Sequence, residues 1–175
     1  GRGNGGGGEA AVPIVLEKLS YVYRSGPVKT TALHEIDLTI NDGELLALIG
    51  HTGSGKSTLA QHLNGLLQPS SGKVLFDGQD INDKGADRRA LRFKVGLVFQ
   101  YPEHQLFEET VKKDVAFGPH NMGLSEAEID VRVREAMATV GLDYDEMSAR
   151  SPFELSGGQM RRAALAGVLA MRPQV

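Results

Sequence analysis

Residues 50–58, GHTGSGKST, have the composition and spacing of a phosphate-binding loop. The fixed positions of the pattern G-x-x-x-x-G-K-[ST] are occupied by Gly50, Gly55, Lys56 and Ser57. Glycines allow the backbone to curl so that N–H groups point toward a bound phosphate, and a following helix adds its positive N-terminal end. The lysine ammonium then contacts the outer phosphates, and the Ser57 hydroxyl is placed to bind Mg²⁺.

The segments on either side of this loop predict the strand and the helix that such a loop requires. Residues 44–49, ELLALI, have the apolar character of a buried strand, and a turn signal at residues 41–43 precedes them. A helix is expected from about residue 55 to residue 67, with Leu59, Leu63 and Leu66 at helical spacing. The alternative is a glycine turn that binds nothing, and the strand–loop–helix context favours the phosphate site.

Two further strands are predicted before the loop. They cover residues 13–23 and 32–40, and residues 24–31 between them are expected to form a loop. Tyr21 and Tyr23 lie near the end of the first strand. One of these rings is available to stack on a purine, and the alternative is that both pack within the sheet.

A fourth and a fifth strand are predicted after the loop, at residues 73–78 and 95–100, with a short helix between them. The second of these, VGLVFQ, is a continuous apolar run typical of a strand covered on both faces of a parallel sheet. Ligands of open α/β sheets bind at the carboxyl ends of strands, which makes Gln100 a candidate neighbour of the phosphates.

Residues 101–123 carry apolar side chains among charges, and two explanations remain open. A locally buried helix and a partner-binding surface account for them equally well. The side chains concerned are Leu106, Phe107, Val111, Val115 and Phe117. The next helix is clearer: it begins at a capping box of Ser125 and Glu128 and ends near Gly141.

The last helix also begins at a capping pattern, and its first turn offers a second anion site. Ser156, Gly157, Gly158 and Gln159 form this helix start, and the glycines leave the backbone N–H groups open to an anion. Arg161 and Arg162 either help to hold phosphate or are simply solvated.

The bulk composition narrows the class of protein. The chain has 175 residues, of which 41% are hydrophobic and 23% charged, with a net charge of −3. This charge gives no support for a nucleic-acid surface. The chain has no cysteine, no apolar run as long as a membrane span, and no histidine spacing typical of a metal site. Residues 1–12 are rich in glycine and are expected to be a flexible tail.

Two motifs in this order resemble those of the ABC-transporter ATPases. GHTGSGKST resembles their Walker A loop, and LSGGQMRR, residues 155–162, resembles their signature sequence. FQYPEHQLFEETV, VAFGP and SPFELSGGQMRR further resemble the ATPase subunits of energy-coupling-factor (ECF) importers of vitamins and metal ions. The resemblance covers residues 14–175 and implies an α/β P-loop fold with a mixed-sheet core, an antiparallel N-terminal β subdomain and an α-helical signature subdomain.

The resemblance also implies roles for individual residues. Tyr23 would stack on the adenine of ATP, and Gln100 would complete the Mg²⁺ shell with Ser57. Lys56 and Gln100 would serve catalysis. The signature residues 156–159 would contact the γ-phosphate of ATP held by a second ATPase subunit, identical or paralogous, in a head-to-tail dimer. The nucleotide-binding residues would be Gly50, His51, Thr52, Gly53, Ser54, Gly55, Lys56, Ser57 and Thr58, together with Tyr23, Ser156, Gly157, Gly158 and Gln159.

The implied organisation is a nucleotide-binding core at residues 13–100, a helical subdomain at 101–172 and the start of the Walker B strand at 173–175. The Asp-Glu of Walker B and a switch histidine would follow Val175, so the chain is expected to be incomplete at its C-terminus and inactive by itself, with an uncovered apolar sheet edge.

The parent protein would hydrolyse ATP at the cytoplasmic face of the membrane. Its partners would be an integral membrane coupling subunit, contacted through residues 100–117, and a substrate-binding membrane subunit. One alternative is a non-catalytic nucleotide-binding module. The other is an ABC ATPase that acts on DNA or ribosomes, and the importer-like motifs disfavour this second alternative.

Overall fold

The computed structural model describes residues 14–175, so the expected tail at residues 1–12 and the first residue of the first predicted strand lie outside the described residues. The described chain forms two compact units, one ending at Arg88 and the other spanning Arg89–Val175. The predicted division near residue 100 remains a prediction.

The first unit is built on a four-stranded antiparallel sheet and one helix. The strand order is β2-β1-β3-β4. The elements are β1 (Ile14–Ser25), β2 (Val28–Ile40), β3 (Ser71–Phe76), β4 (Gln79–Asp80) and the helix α1 (Lys56–Leu63). The predicted antiparallel subdomain is therefore present.

The prediction of a loop at residues 24–31 is wrong. β1 and β2 form one long hairpin whose pairing runs from Ile14 opposite Ile40 to Ser25 opposite Val28. Only Gly26 and Pro27 remain for the turn, and Gly26 has φ 58°, a value that glycine adopts without strain. Glycine and proline therefore form a tight turn here, and the polar residues on either side belong to the two strands.

A β-bulge in β1 changes which side chains face the interior. The pairing of β1 with both neighbouring strands shifts between residues 16 and 20, and Lys18 at this point has φ 45°. Ile14 and Leu16 are buried before the bulge, and Leu19 is buried after it. Because side chains alternate between faces along a strand, the extra residue places positions 19, 21 and 23 on the same face as positions 14 and 16.

Gly72 in β3 makes room for this bulge. It has φ +82°, and a Cβ atom at this position would lie 2.2 Å from the carbonyl oxygen of Lys18. Lys18 is held on the other side by Asp37, whose Oδ1 accepts from the Lys18 backbone N–H at 2.8 Å. Both neighbouring strands therefore stabilise the bulge.

The strands predicted at residues 44–49 and 95–100 are not present as strands. A strand is stabilised by a hydrogen-bonded neighbour and by cover for its apolar faces, and sequence propensity alone supplies neither. In the first segment Leu45 is 97% exposed and Ile49 95% exposed, so neither apolar side chain has the cover that a buried strand requires. At the start of the second segment, the backbone forms two hydrogen bonds with Val175. The Val175 N–H donates to Lys94 O at 3.0 Å, and the Val175 carbonyl oxygen accepts from Gly96 N at 2.7 Å.

The helix α1 is shorter than predicted, and its buried face differs. It ends at Leu63 with Asn64 as C-cap, so Leu66 lies beyond it and is exposed. The buried side chains of α1 are those of Thr58, Leu59 and His62.

The second unit is helical. Its elements are α2 (Arg88–Lys94), α3 (Val111–Asn121), α4 (Glu126–Thr139), α5 (Tyr144–Met147), α6 (Gly157–Leu169) and 3₁₀ helices at Pro102–Gln105 and Pro152–Glu154. Helices α3, α4 and α6 enclose a core that includes Val115, Ile129, Val133, Met137 and Ala163. The predicted helix after Ser125 is confirmed, although the Glu128 carboxylate accepts from Arg132 instead of completing a capping box.

Among residues 14–175, we find no helix with the length and apolar character needed to cross a membrane.

Candidate nucleotide-binding site

The phosphate loop is exposed and curls through two glycines in the left-handed region. Gly53 has φ 83° and Gly55 has φ 91°. A Cβ atom on Gly55 would lie 2.6 Å from the carbonyl oxygen of Ala32 in β2, so no other residue fits there without displacing backbone. The loop is closed by a hydrogen bond from Ser54 N to His51 O at 3.2 Å.

Lys56 folds back over the loop. Its ammonium group donates to the carbonyl oxygens of Gly50 and His51, each at 2.8 Å, and to Ser54 Oγ at 3.1 Å. These are neutral acceptors on an exposed loop. An arriving phosphate would therefore be the first full negative charge to compete for the ammonium group.

The first turn of α1 supplies further donors. Gly55 is the N-cap residue, and the first hydrogen bond inside the helix runs from Leu59 N to Gly55 O at 2.8 Å. The N–H groups of Lys56, Ser57 and Thr58 therefore have no acceptor within the helix. Free N–H groups, an ammonium group and the exposed Ser57 hydroxyl fit a phosphate chain and its Mg²⁺ ion. Thr52 completes the exposed loop.

Tyr23 lies directly against the helix that follows the loop. Its hydroxyl is 3.1 Å from Oγ1 of Thr58, and its side chain is 44% exposed. The β1 bulge accounts for this placement because it puts position 23 on the α1 side of the strand. The partly exposed ring leaves apolar surface free for a base, so the stacking role predicted for Tyr23 remains consistent with its position.

Thr58 and His62 are interior contacts of this site that the sequence interpretation does not single out as a pair. Nδ1 of His62 lies 2.7 Å from the backbone oxygen of Thr58, and the imidazole is fully buried. The spacing of four residues on a helix is the signal that places them on one face.

The signature residues cap α6 as predicted. Ser156 Oγ accepts from Gln159 N at 3.3 Å, and Gln159 Oε1 accepts from Ser156 N at 2.9 Å, which completes a capping box. Gly157 and Gly158 are exposed, and a Cβ atom on either would meet nothing within 4 Å. Within the described chain, no steric contact requires glycine at these two positions.

The two arginines of the signature helix are neither free nor simply solvated. Arg161 Nε lies 3.3 Å from both carboxylate oxygens of Glu103, and Arg162 Nη1 donates to Gly141 O at 2.9 Å. A hydrogen bond to its own backbone N–H lowers the pKa of Glu103, and Arg161 lowers it further. The two guanidinium groups thus tie α6 to neighbouring segments of the second unit.

Gln100 is exposed in a bend immediately before Tyr101 and the 3₁₀ helix Pro102–Gln105. It belongs to the second unit, whereas the phosphate loop belongs to the first. Its predicted contact with Mg²⁺ therefore remains a prediction.

The apolar side chains at residues 106–117 divide between the two explanations. Leu106, Val111 and Val115 are buried in the helical core, whereas Phe107 and Phe117 are 58% and 46% exposed. The two phenylalanine rings meet edge to face, with centroids 4.9 Å apart. They form an exposed aromatic pair beside a buried helix face.

Asp114 fixes the loop that carries Phe107. Its carboxylate accepts from Phe107 N at 3.3 Å and from Glu108 N at 3.0 Å, and burial raises its pKa. Asp114 lies on the same helix face as Val111 and Val115, so its burial follows from helical periodicity.

The comparisons with known proteins agree with this geometry. The chain matches the family model described as ABC transporter over residues 33–175. It is 58% identical over 165 residues to the energy-coupling factor transporter ATP-binding protein EcfA2 of Clostridium acetobutylicum, covering 94% of this chain and 58% of that protein. The EcfA2 protein of Symbiobacterium thermophilum is 59% identical over 165 residues, with 57% of its length covered. The chain thus spans less than two thirds of the curated relatives that it matches.

Solved structures show the same fold. The structure of cbiO1 from Clostridium perfringens, part of the ABC transporter complex cbiONQ, superposes with a TM-score of 0.78 at 41% identity, covering 94% of this chain and 63% of that one. The dimeric ATP-binding cassette MJ0796 in a post-hydrolysis state with ADP and Pi gives a TM-score of 0.81 at 29% identity, covering 91% and 70%. The predicted P-loop fold is therefore confirmed, and the chain belongs to the ABC transporter family.

Proposed function

We propose that the full-length protein is the ATP-binding and ATP-hydrolysing subunit of an ECF-type importer that powers uptake of a vitamin or metal ion. The observation that carries this proposal is the phosphate loop, where Lys56 and the free N–H groups of α1 converge beside Tyr23. The similarity to EcfA2 proteins supports the importer class.

The proposed chemistry is electrostatic. The loop N–H groups and Lys56 would bind the phosphates and stabilise the charge that develops on the γ-phosphate. Ser57 and Gln100 would hold Mg²⁺, which would neutralise negative charge on the phosphate oxygens. Tyr23 would hold the adenine.

We also propose that a second ATPase subunit completes the site. Gly157 and Gly158 leave open space above the start of α6, and this space would admit the γ-phosphate of ATP bound to the neighbouring subunit. Two such subunits would then face each other head to tail.

The exposed pair of Phe107 and Phe117 is the proposed contact with a membrane coupling subunit at the cytoplasmic face of the membrane. Exposed aromatic rings that pack against each other are typical of a protein interface. Asp114 would hold Phe107 ready for this contact through its hydrogen bonds to the loop. A substrate-binding membrane subunit would complete the importer.

The test is ATP turnover by the full-length protein, purified with its membrane partners. Lys56→Ala should lower turnover by at least about 100-fold, comparable to the loss of one preorganised transition-state donor. Lys29→Ala, which removes an exposed lysine of β2, is the matched control and should leave turnover unchanged. Full turnover in Lys56→Ala would reject the assignment. Nucleotide binding without any wild-type turnover would favour a non-catalytic module.

The partners are tested in the same preparation. The wild-type protein should copurify with a membrane subunit, and a Phe107→Ser/Phe117→Ser variant should lose it while retaining its thermal midpoint. Mass analysis of the copurified ATPase subunits will show whether one or two kinds are present. Purification of the wild-type protein with ribosomes or DNA instead would contradict the importer proposal.

A further inference from the structure

Four side chains form a closed set of contacts between β1 and α1, which we call the tyrosine–histidine cluster: Tyr21, Tyr23, Thr58 and His62. The Tyr23 hydroxyl is 3.1 Å from Thr58 Oγ1, and the Tyr23 ring meets the Tyr21 ring edge to face at 4.9 Å. The Tyr21 ring in turn meets the imidazole of His62 at 4.7 Å. His62 Nδ1 closes the set at 2.7 Å from the backbone oxygen of Thr58.

The contacts of His62 define its chemical state. A carbonyl oxygen only accepts hydrogen bonds, so Nδ1 carries the proton and donates to Thr58 O. Nε2 then carries the lone pair of the neutral ring, and this buried atom makes no hydrogen bond of standard geometry. A second proton would place a positive charge inside the unit. Burial lowers the pKa of His62 despite the backbone contacts with Thr58 and Gln68, which raise it, so the neutral imidazole is favoured.

Tyr23 is therefore connected to Thr58 by two routes. One is direct, from its hydroxyl to the Thr58 side chain. The other runs through two ring contacts to His62 and back to the backbone of Thr58, the last residue of the phosphate-loop sequence. If one route were removed, the other would still hold Tyr23 beside α1, but fewer contacts would constrain the position of its ring relative to the loop.

We infer that His62 is a positioning residue that sets the distance between the base-binding face of Tyr23 and the phosphate loop, and so makes the site selective for nucleoside triphosphates over inorganic triphosphate. This inference rests on the proposed function, because it takes Tyr23 as the base-stacking residue. His62 itself is fully buried and would contact neither base nor phosphate.

The selectivity follows from the structure of the ligand. Base and triphosphate are joined by one ribose, so both contacts form together only when the protein presents them at the matching separation. A preorganised separation lowers the entropy lost on binding. Inorganic tripolyphosphate binds to the loop alone, and its affinity is therefore independent of the position of the Tyr23 ring.

The experiment measures the affinities of the full-length protein for Mg-ATP and for Mg-tripolyphosphate. His62→Phe keeps a ring against Tyr21 but loses the Nδ1–H donor, whereas His62→Asn keeps a donor at that position and loses the ring. Gln61→Ala, the preceding position of α1, is the matched control. Tyr23→Ala gives the effect of losing the base contact itself.

The expected result is a loss of about 10-fold in ATP affinity for His62→Phe and for His62→Asn, the scale of one lost base stack, with tripolyphosphate affinity changed less than about twofold. The double variant Tyr23→Ala/His62→Phe should bind ATP no more weakly than Tyr23→Ala, because His62 acts through Tyr23. A purely structural role would lower both affinities together, and that result, or additive losses in the double variant, would overturn the inference.

Failure of the proposed function is recognised separately. It would appear as a wild-type protein that binds ATP no better than tripolyphosphate, or as a Lys56→Ala variant that binds both ligands normally. Thermal midpoints of all variants identify any that fail to fold, and the two His62 substitutions differ enough in shape that one is expected to remain folded. Normal ATP selectivity in a folded His62 variant would overturn the inference alone.

Discussion

The hydroxyl of Tyr23 lies 3.1 Å from Oγ1 of Thr58, which joins the end of a β-strand to the last residue of the phosphate-loop sequence. Residues 23 and 58 are far apart in sequence, and the β1 bulge is what directs the tyrosine toward α1. The site is thus held together by side chains that lie behind the loop as well as by the loop itself.

This contact predicts a difference between two substitutions of Thr58 in the absence of nucleotide. Thr58→Val keeps the shape and removes the hydroxyl, leaving the partly buried Tyr23 hydroxyl without this partner. We expect a loss of about 0.5–1.5 kcal/mol in the free energy of unfolding. Thr58→Ser keeps the hydroxyl and should retain the hydrogen bond. Chemical denaturation measures both, and equal stability of Thr58→Val and wild type would contradict the contact.

His62 predicts a pH dependence of stability. Burial lowers the pKa of His62 below its ordinary value of 6.5, and its backbone contacts with Thr58 and Gln68 act in the opposite direction. Between the native pKa and about 6.5 the unfolded chain therefore binds more protons than the native one. The contribution of His62 to stability is present above about pH 6.5 and is lost as the pH falls through its native pKa.

The measurement is the denaturation midpoint of the wild type, His62→Phe and His34→Gln between pH 5 and pH 8. The wild-type midpoint should fall relative to that of His62→Phe as the pH drops below about 6.5. His34 is exposed on β2, and its substitution is a control that should follow the wild-type curve. Parallel curves for wild type and His62→Phe would show that His62 is not buried as a neutral imidazole.

The β1 bulge predicts that two glycines in similar conformations differ in importance. Gly72→Ala adds a methyl group 2.2 Å from Lys18 O, in addition to the strain of a positive φ. Gly78→Ala adds only the strain, because nothing lies within 4 Å of its Cβ position. We expect about 1–2 kcal/mol of destabilisation for Gly78→Ala and clearly more for Gly72→Ala.

The Gly72 substitution should also affect nucleotide binding. A displaced bulge changes the face on which Tyr23 lies, so Gly72→Ala should lower ATP affinity more than tripolyphosphate affinity. Gly78→Ala should change neither affinity. If the two glycine variants are equally stable and bind ATP equally well, then the bulge does not position Tyr23.

Sequence reasoning locates the phosphate loop and the signature helix because their function depends on local backbone conformation. Neighbouring residues alone predict the turns at Gly53 and Gly55 and the Ser–Gln capping box at residues 156–159. The same holds for α4, whose buried face follows from helical spacing. Such features require no knowledge of distant parts of the chain.

The features that sequence reasoning misses or leaves open depend on neighbours that are distant in the sequence. Residues 44–49 have strand composition, but a strand also requires a hydrogen-bonded neighbour, and composition does not report whether one is present. The contact of Tyr23 with Thr58 depends on a bulge whose signal is subtle: apolar positions 14 and 16 are followed by 19, 21 and 23, a one-residue shift in the alternation. The split of Phe107 and Leu106 between surface and core likewise depends on tertiary packing.

We propose that the phosphate loop of one subunit and the signature of its neighbour form one ATP site. Gly158→Ala tests it because the added methyl group meets nothing within 4 Å in this chain. The substitution should leave the thermal midpoint unchanged or raise it, since alanine favours a helix over glycine by roughly 0.5 kcal/mol. We predict that ATP turnover of the full-length protein nevertheless falls at least about 10-fold, because the methyl group would lie between the signature and the neighbour's γ-phosphate. Turnover within about twofold of the wild type, in a variant that folds normally, would contradict it.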